Sequence, residues 1–67
     1  MKKIFISTGI IDSKVLDTPF YKIILDNGKE KMIPTSKING VIHIGSKGSL
    51  YRVISPRLYY CEFQIEK

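Results

Sequence analysis

The chain has 67 residues, a formal net charge of +5 and one cysteine. That length makes one domain, residues 1–67, near the lower limit for a core that folds without cross-links. A lone Cys61 excludes an intrachain disulfide, so the expectation is a reduced, cytoplasmic protein.

Membrane and secretory readings find no support. The apolar runs, such as Ile4–Ile6 and Tyr21–Leu25, are too short for a span. Ser7, Thr8 and Gly9 follow too soon after Lys2-Lys3 for the apolar region of a signal peptide. The composition is rich in Lys, Ile and Tyr and has no Trp or Ala, which is compatible with an AT-rich coding sequence such as that of a phage or mobile element. Residues 1–28 hold four Lys against three Asp, residues 29–57 six basic residues against Glu30 alone, and residues 58–67 Lys67 against Glu62 and Glu66. The positive excess therefore lies in the middle of the chain.

Period-two alternation dominates, and no helical period lasts three turns. Lys3–Ile11 places Ile4, Ile6, Thr8 and Ile10 on one side and Lys3, Phe5 and Ser7 on the other, with Gly9 as a weak or bulged point. Asp12-Ser13-Lys14 and Asp17-Thr18-Pro19 bracket a short extended piece at Val15-Leu16. Phe20–Leu25 and Glu30–Ile33 then flank Asp26-Asn27-Gly28-Lys29, an Asn-Gly hairpin signal. Read as a two-residue turn, it pairs Leu25 with Glu30, Ile24 with Lys31, Ile23 with Met32 and Lys22 with Ile33. One face then carries Tyr21, Ile23, Leu25 and Met32, and the other Lys22, Lys29 and Lys31 with Ile24 and Ile33 between them.

Pro34 ends that strand, because it cannot donate to a ladder. Thr35–Ile38 is long enough for one helical turn capped by Thr35 or Ser36, with Ile38 plugging the end of a barrel. Val41–Ile44 and Leu50–Ile54 read as a second hairpin across Gly45-Ser46-Lys47-Gly48, which pairs His43 with Arg52 if Lys47-Gly48 is the turn. Ser55-Pro56-Arg57 turns the chain. Leu58–Glu66 alternates, with Tyr59, Cys61, Phe63 and Ile65 inward and Tyr60, Glu62, Gln64 and Glu66 outward. The fold class expected is all-β, a small SH3-like or OB-like barrel of five to six antiparallel strands. Residues 1–19 form an N-terminal strand segment and residues 20–67 the SH3-like core.

Within that order, Gly28-Lys29-Glu30-Lys31, Thr35-Ser36-Lys37-Ile38 and Val41…Ile44-Gly45 resemble the seven-kilodalton archaeal chromatin proteins. The resemblance covers about residues 20–54. It implies an SH3-like barrel whose three-stranded sheet enters the DNA minor groove and wedges apolar side chains between base steps. The sheet Trp of that family falls at Ile42 and its first wedge residue at Ile44, but the second wedge falls near Lys47. The family's C-terminal helix is replaced by a strand-like segment. The resemblance thus implies the barrel more than it implies intercalation. The stretch from Asp26 to Ile38 is also similar to the hairpin and turn of Tudor-like domains and to the strand pair that opens LytTR-type domains.

No residue set supports an enzyme. His43 is the lone histidine and has no nucleophile beside it, and the six carboxylates are scattered. Cys61 at an inward strand position reads as an inert thiol, and one His with one Cys makes no zinc site. No cofactor is implied. Gly45-Ser46-Lys47-Gly48-Ser49 lacks the spacing and the helix of a P-loop and reads as a hairpin turn. The residues expected to carry binding are basic: Lys22, Lys29, Lys31, Lys37, Lys47, Arg52 and Arg57, able to follow a phosphate backbone if the barrel brings them together. Ile24, Ile33 and Tyr60 are the candidate apolar or stacking contacts. The first expectation is therefore a non-catalytic nucleic-acid-binding module, DNA before RNA. The second is a small phage- or mobile-element-encoded inhibitor or adaptor that binds an acidic host protein, through the same face or a strand edge. A homodimer would cover the same surface.

Overall fold

The computed structural model describes residues 1–66; Lys67, counted above in the C-terminal charge, lies outside the described residues. The alternating runs become β1 (Lys2–Lys14), β2 (Phe20–Leu25), β3 (Glu30–Pro34), a two-residue β4 (Ile38–Asn39), β5 (Lys47–Ile54) and β6 (Tyr59–Ile65). One 3-10 turn at Thr35–Lys37 is the sole helical element among the described residues. The strands form a single sheet in the order β3-β2-β1-β5-β6-β4, curled into a half-barrel. The all-β, barrel-like expectation holds. The sheet is mixed, however, because β4 runs parallel to β6 while every other pair is antiparallel.

Residues 2–14 do not flank a core formed by the rest. β1 lies in the middle of the sheet, bonded to β2 through its second half and to β5 through Lys2–Ile10. Two bulges divide it. Ile6 is the extra residue between the pairs Phe5–Tyr51 and Ser7–Leu50, and Asp12 is the extra residue between Ile11–Ile23 and Ser13–Lys22. Each bulge resets which residues face inward. Gly9 and Ile11 are therefore buried, whereas Thr8 and Ile10 are exposed. Val15-Leu16 belongs to the connecting loop, closed by Val15 N–H donating to Phe20 O at 2.9 Å.

The β2–β3 hairpin forms, but its register differs by one residue from that of a two-residue turn. Gly28 N–H donates to Leu25 O at 2.8 Å and Leu25 N–H donates to Lys29 O at 2.8 Å, which makes a three-residue loop. Gly28 alone in it has positive φ, +86°, the signature of a type I turn followed by a bulge at glycine. Asn27 supports the turn from its side chain, its Oδ1 accepting from Lys29 N–H at 2.9 Å. Ile23 consequently faces Lys31, Lys22 faces Met32 and Tyr21 faces Ile33. Ile33 is pulled into the core at 3% exposure and Met32 is left outside at 55%, the reverse of the two-residue register.

The second expected hairpin does not form. Val41–Ile44 is irregular chain between Gly40 and Gly45, both at positive φ, and β5 takes β1 and β6 as its neighbours instead. The Ser55–Leu58 turn joins β5 to β6 as anticipated. Thr35 caps nothing within the 3-10 turn. Its N–H and its hydroxyl both donate to Pro19 O at 2.8 Å, which pins the turn to the β1–β2 loop.

The core is one apolar cluster of Ile11, Ile23, Leu25, Ile33, Ile38, Leu50 and Phe63. Each such side chain contributes about 1.5–3 kcal/mol on leaving water. Gly9 and Gly48 face each other across β1 and β5, where larger residues would not fit. A Cβ on Gly48 would stand 2.4 Å from Gln64 O and 2.6 Å from the Phe63 ring. Gly48→Ala should therefore cost about 3 kcal/mol, the upper end of overpacking penalties, and lower Tm by more than about 10 °C. Gly28→Ala meets open space and should cost only the strain of positive φ, about 1 kcal/mol. Thermal unfolding followed by circular dichroism separates the two; equal losses would contradict the close approach at Gly48.

Candidate functional site

The pairing register sorts the side chains of β1, β5 and β6 onto two faces. Leu50 and Phe63 point to the core, so Lys3, Phe5, Thr8, Ile10, Lys47, Ser49, Tyr51, Val53, Tyr60, Glu62 and Gln64 form rows on the outer face. The rows run Lys3–Val53–Tyr60, then Phe5–Tyr51–Glu62, then Thr8–Ser49–Gln64. Val53 is 1% exposed and yet stands apart from the core cluster, because its own row covers it. The outer face thus has a small apolar patch of its own.

Aromatic rings and cations are interleaved over that patch. The Phe5 and Tyr51 rings meet edge to face, with centroids 5.8 Å apart at 71°. Lys3 Nζ lies 5.1 Å from the Tyr51 centroid, and Lys37 Nζ, brought in by the 3-10 turn, lies 4.0 Å from the Tyr60 centroid. Phe5 remains 56% exposed. In the middle stands Glu62, whose side chain is only 13% exposed. Its Oε1 is buried, and the Lys3 ammonium is its one partner among the described residues. Its Oε2 accepts a long bond of 3.5 Å from Asn39 Nδ2. The hydrogen bond to Glu62, reinforced by the charge of that carboxylate against some desolvation, raises Lys3 above its ordinary pKa of 10.5.

The basic residues singled out from the sequence do not share a face. Lys22 is on the outer side of β2, half-buried, and bridges Asp12 at 3.8 Å and Glu30 at 3.7 Å. Lys31 pairs with Ile23 on the opposite side, and strand alternation sends Lys29 with it. The common face expected for Lys22, Lys29 and Lys31 is lost with the one-residue change of register. Arg52 faces the core side of the sheet, opposite Ile4 and Cys61, and its guanidinium lies 5.5 Å from the Tyr59 ring. Arg57 is exposed in the β5–β6 turn, while Lys47 opens β5 on the outer face. Of the apolar candidates, Ile33 is in the core and offers a partner nothing. Ile24 is exposed on the outer side of β2, and Tyr60 is half-buried beneath Lys37.

Lys3 and Phe5 join this site without having been singled out. Their signal was present in the alternation that places Lys3 and Phe5 on one side of the first strand, but the strand that would lie beside them was not apparent. Cys61 is half-buried opposite Arg52. His43 is exposed in the irregular 40–46 segment, and its expected pairing with Arg52 is absent. No helix among the described residues is long and apolar enough to cross a membrane. No protein-family model, curated protein or solved structure matches the chain.

The Lys3–Glu62 pair has a pH signature. A group whose pKa is raised by folding stabilises the fold at every pH below its unfolded value and loses that contribution as the pH climbs through the folded one. Lys3→Met should be less stable than the native chain at neutral pH, because Glu62 Oε1 is then buried without a partner. The gap in Tm should close above pH 10.5, where the native Lys3 itself discharges. A gap unchanged between pH 7 and strongly alkaline solution would remove this pair from the account.

Proposed function

We propose that the protein is a non-catalytic module that binds single-stranded nucleic acid on the outer face of β1, β5 and β6. The observation that carries the proposal is the placing of Phe5, Tyr51 and Tyr60 on three adjacent strands of one face, with Lys3 and Lys37 against two of the rings. Stacking needs a π-face and a cation nearby for the phosphate, and it tolerates any base. A face of rings suits unpaired bases better than a duplex, whose bases are already stacked. The lysines already lie over the rings, so a strand laid across the face meets charge and stacking surface together. The net charge of +5 favours a polyanion over a basic or neutral partner. A half-buried lone thiol fits the reducing cytoplasm.

A second reading rests on the first half of β1. Lys2–Ser7 bonds to β5 on one side, and β2 reaches only as far as Gly9 on the other, which leaves a free strand edge among the described residues. Ile4 is exposed on that strand. An inhibitor or adaptor could use that edge to add a partner's strand. Lys2, Lys3 and the bulge at Ile6 are features that protect edges from such pairing, so this reading ranks second.

Binding of labelled single-stranded DNA, single-stranded RNA and duplex DNA across a salt series tests the proposal. Single strands should bind more tightly than duplex, with a log–log salt slope of about −1.4 for phosphate contacts by Lys3 and Lys37. Phe5→Ala and Tyr60→Ala should each weaken binding by about five- to hundredfold, from about 1–3 kcal/mol of stacking per base. Lys37→Gln should flatten the slope by about 0.7. Weak, salt-insensitive binding to all three nucleic acids would overturn the proposal and turn attention to the β1 edge.

A further inference from the structure

The outer face continues beyond its rings into a groove of about 430 Å³ rimmed by Thr8, Asp26, Lys47, Ser49 and Glu66. That volume is in the range of small-ligand sites, about 300–1,000 Å³. Its floor is backbone at Gly9 and Gly48, whose side-chain positions point the other way, into the core. The Thr8–Ser49 row is the next one along from Phe5–Tyr51. A strand stacked on the rings would deliver its following nucleotide to this groove.

The rim decides which part of that nucleotide fits. Asp26 and Glu66 bring two carboxylates against the single ammonium of Lys47, so a phosphate is repelled and a base edge rich in donors is favoured. Asp26 accepts the Thr8 hydroxyl, and Glu66 N–H donates to Lys47 O at 2.8 Å, which fixes both acids at the rim. Neither Lys47 nor Glu66 has an ion-pair partner among the described residues. A carboxylate next to an ammonium matches an edge with two adjacent donors beside an acceptor. Guanine has that edge: N1–H and N2–H₂ for one carboxylate, O6 for the lysine. Uracil and thymine place one donor between two acceptors. Adenine offers one donor group beside a ring nitrogen, and cytosine one donor group beside two acceptors.

We infer that this groove is a guanine subsite, read by Glu66 and Lys47, with Asp26 and Thr8 forming its far wall. The inference rests on the single-strand reading above and adds a base preference to a surface that otherwise has none.

Fluorescence anisotropy with a labelled oligothymidine, and with the same strand carrying one central guanine or one central cytosine, tests it. The guanine strand should bind about tenfold tighter than oligothymidine, the size of one good base-edge contact. Glu66→Gln should bring the ratio of the two affinities close to one. Asp26→Asn should lower it as well; because Asp26 also holds Thr8, its melting curve is taken alongside, and Glu66→Gln keeps the test valid if that variant unfolds. Binding of oligothymidine with no gain from guanine, an equal gain from cytosine, or a gain that survives Glu66→Gln would each overturn the subsite while leaving the single-strand reading in place. Failure of all three strands to bind would overturn both.

Discussion

The edge strands β3 and β4 are joined by Thr35-Ser36-Lys37 alone, and much of the structure follows from that tether. Four residue steps from Pro34 to Ile38 reach at most about 14 Å. In a flat sheet, five strand spacings would put the two edges about 24 Å apart. The sheet has to curl. Curling folds one face onto itself and makes Ile11, Ile23, Leu25, Leu50 and Phe63 a common core, which Ile38, carried by the tether, joins. Thr35 secures the tether to Pro19, so the β1–β2 loop shares in the closure.

With one face consumed by the core, the outer face of β1, β5 and β6 is the broad surface left for a ligand. Its character is unusual for a solvated sheet. It buries Val53, half-buries Tyr51 and Tyr60, and holds a carboxylate, Glu62, nearly out of water. The Lys3 ammonium makes that carboxylate tolerable, since an unpartnered buried charge would be costly. Lys3 is thus shared between holding the surface together and presenting positive charge on it. Lys37, which lies over a ring and has no ion-pair partner among the described residues, is the freer of the two to meet a phosphate.

Local signals were legible and distant ones were not. Asn27-Gly28 announced a hairpin, Pro34 its end, Thr35–Ile38 a single turn with a buried isoleucine, and the alternation of β6 its inward Phe63. The register of the hairpin was not fixed by Asn-Gly, because that pair fits either the two-residue loop or the three-residue loop with a glycine bulge. The difference exchanges the places of Met32 and Ile33. Val41–Ile44 carries the apolar residues of a strand, but positive-φ glycines bound it on both sides and β5 is already paired on both edges. Nothing near Lys2–Ser7 in sequence reveals that Leu50–Ile54 lies beside it, and the bulge at Ile6 hides which of its residues face inward. The candidate site is built across that distant pairing. Its lysines and rings were therefore visible singly, but their assembly was not.

The central place of β1 also bears on how the chain is made. Its partner β5 is separated from it by the β2–β3 hairpin and the 3-10 turn, and Lys2 meets Ile54 only once the chain has been made that far. Ribosomes add about 5–20 residues per second, so the first strand, with Ile4, Phe5 and Ile6 uncovered, waits seconds for its neighbour. Only the β1–β2–β3 meander can assemble meanwhile, without the Leu50 and Phe63 that complete its core. Folding dominated by such distant pairings is slow. During that wait Lys2 and Lys3 have a further use, since their charge keeps nascent first strands from joining one another.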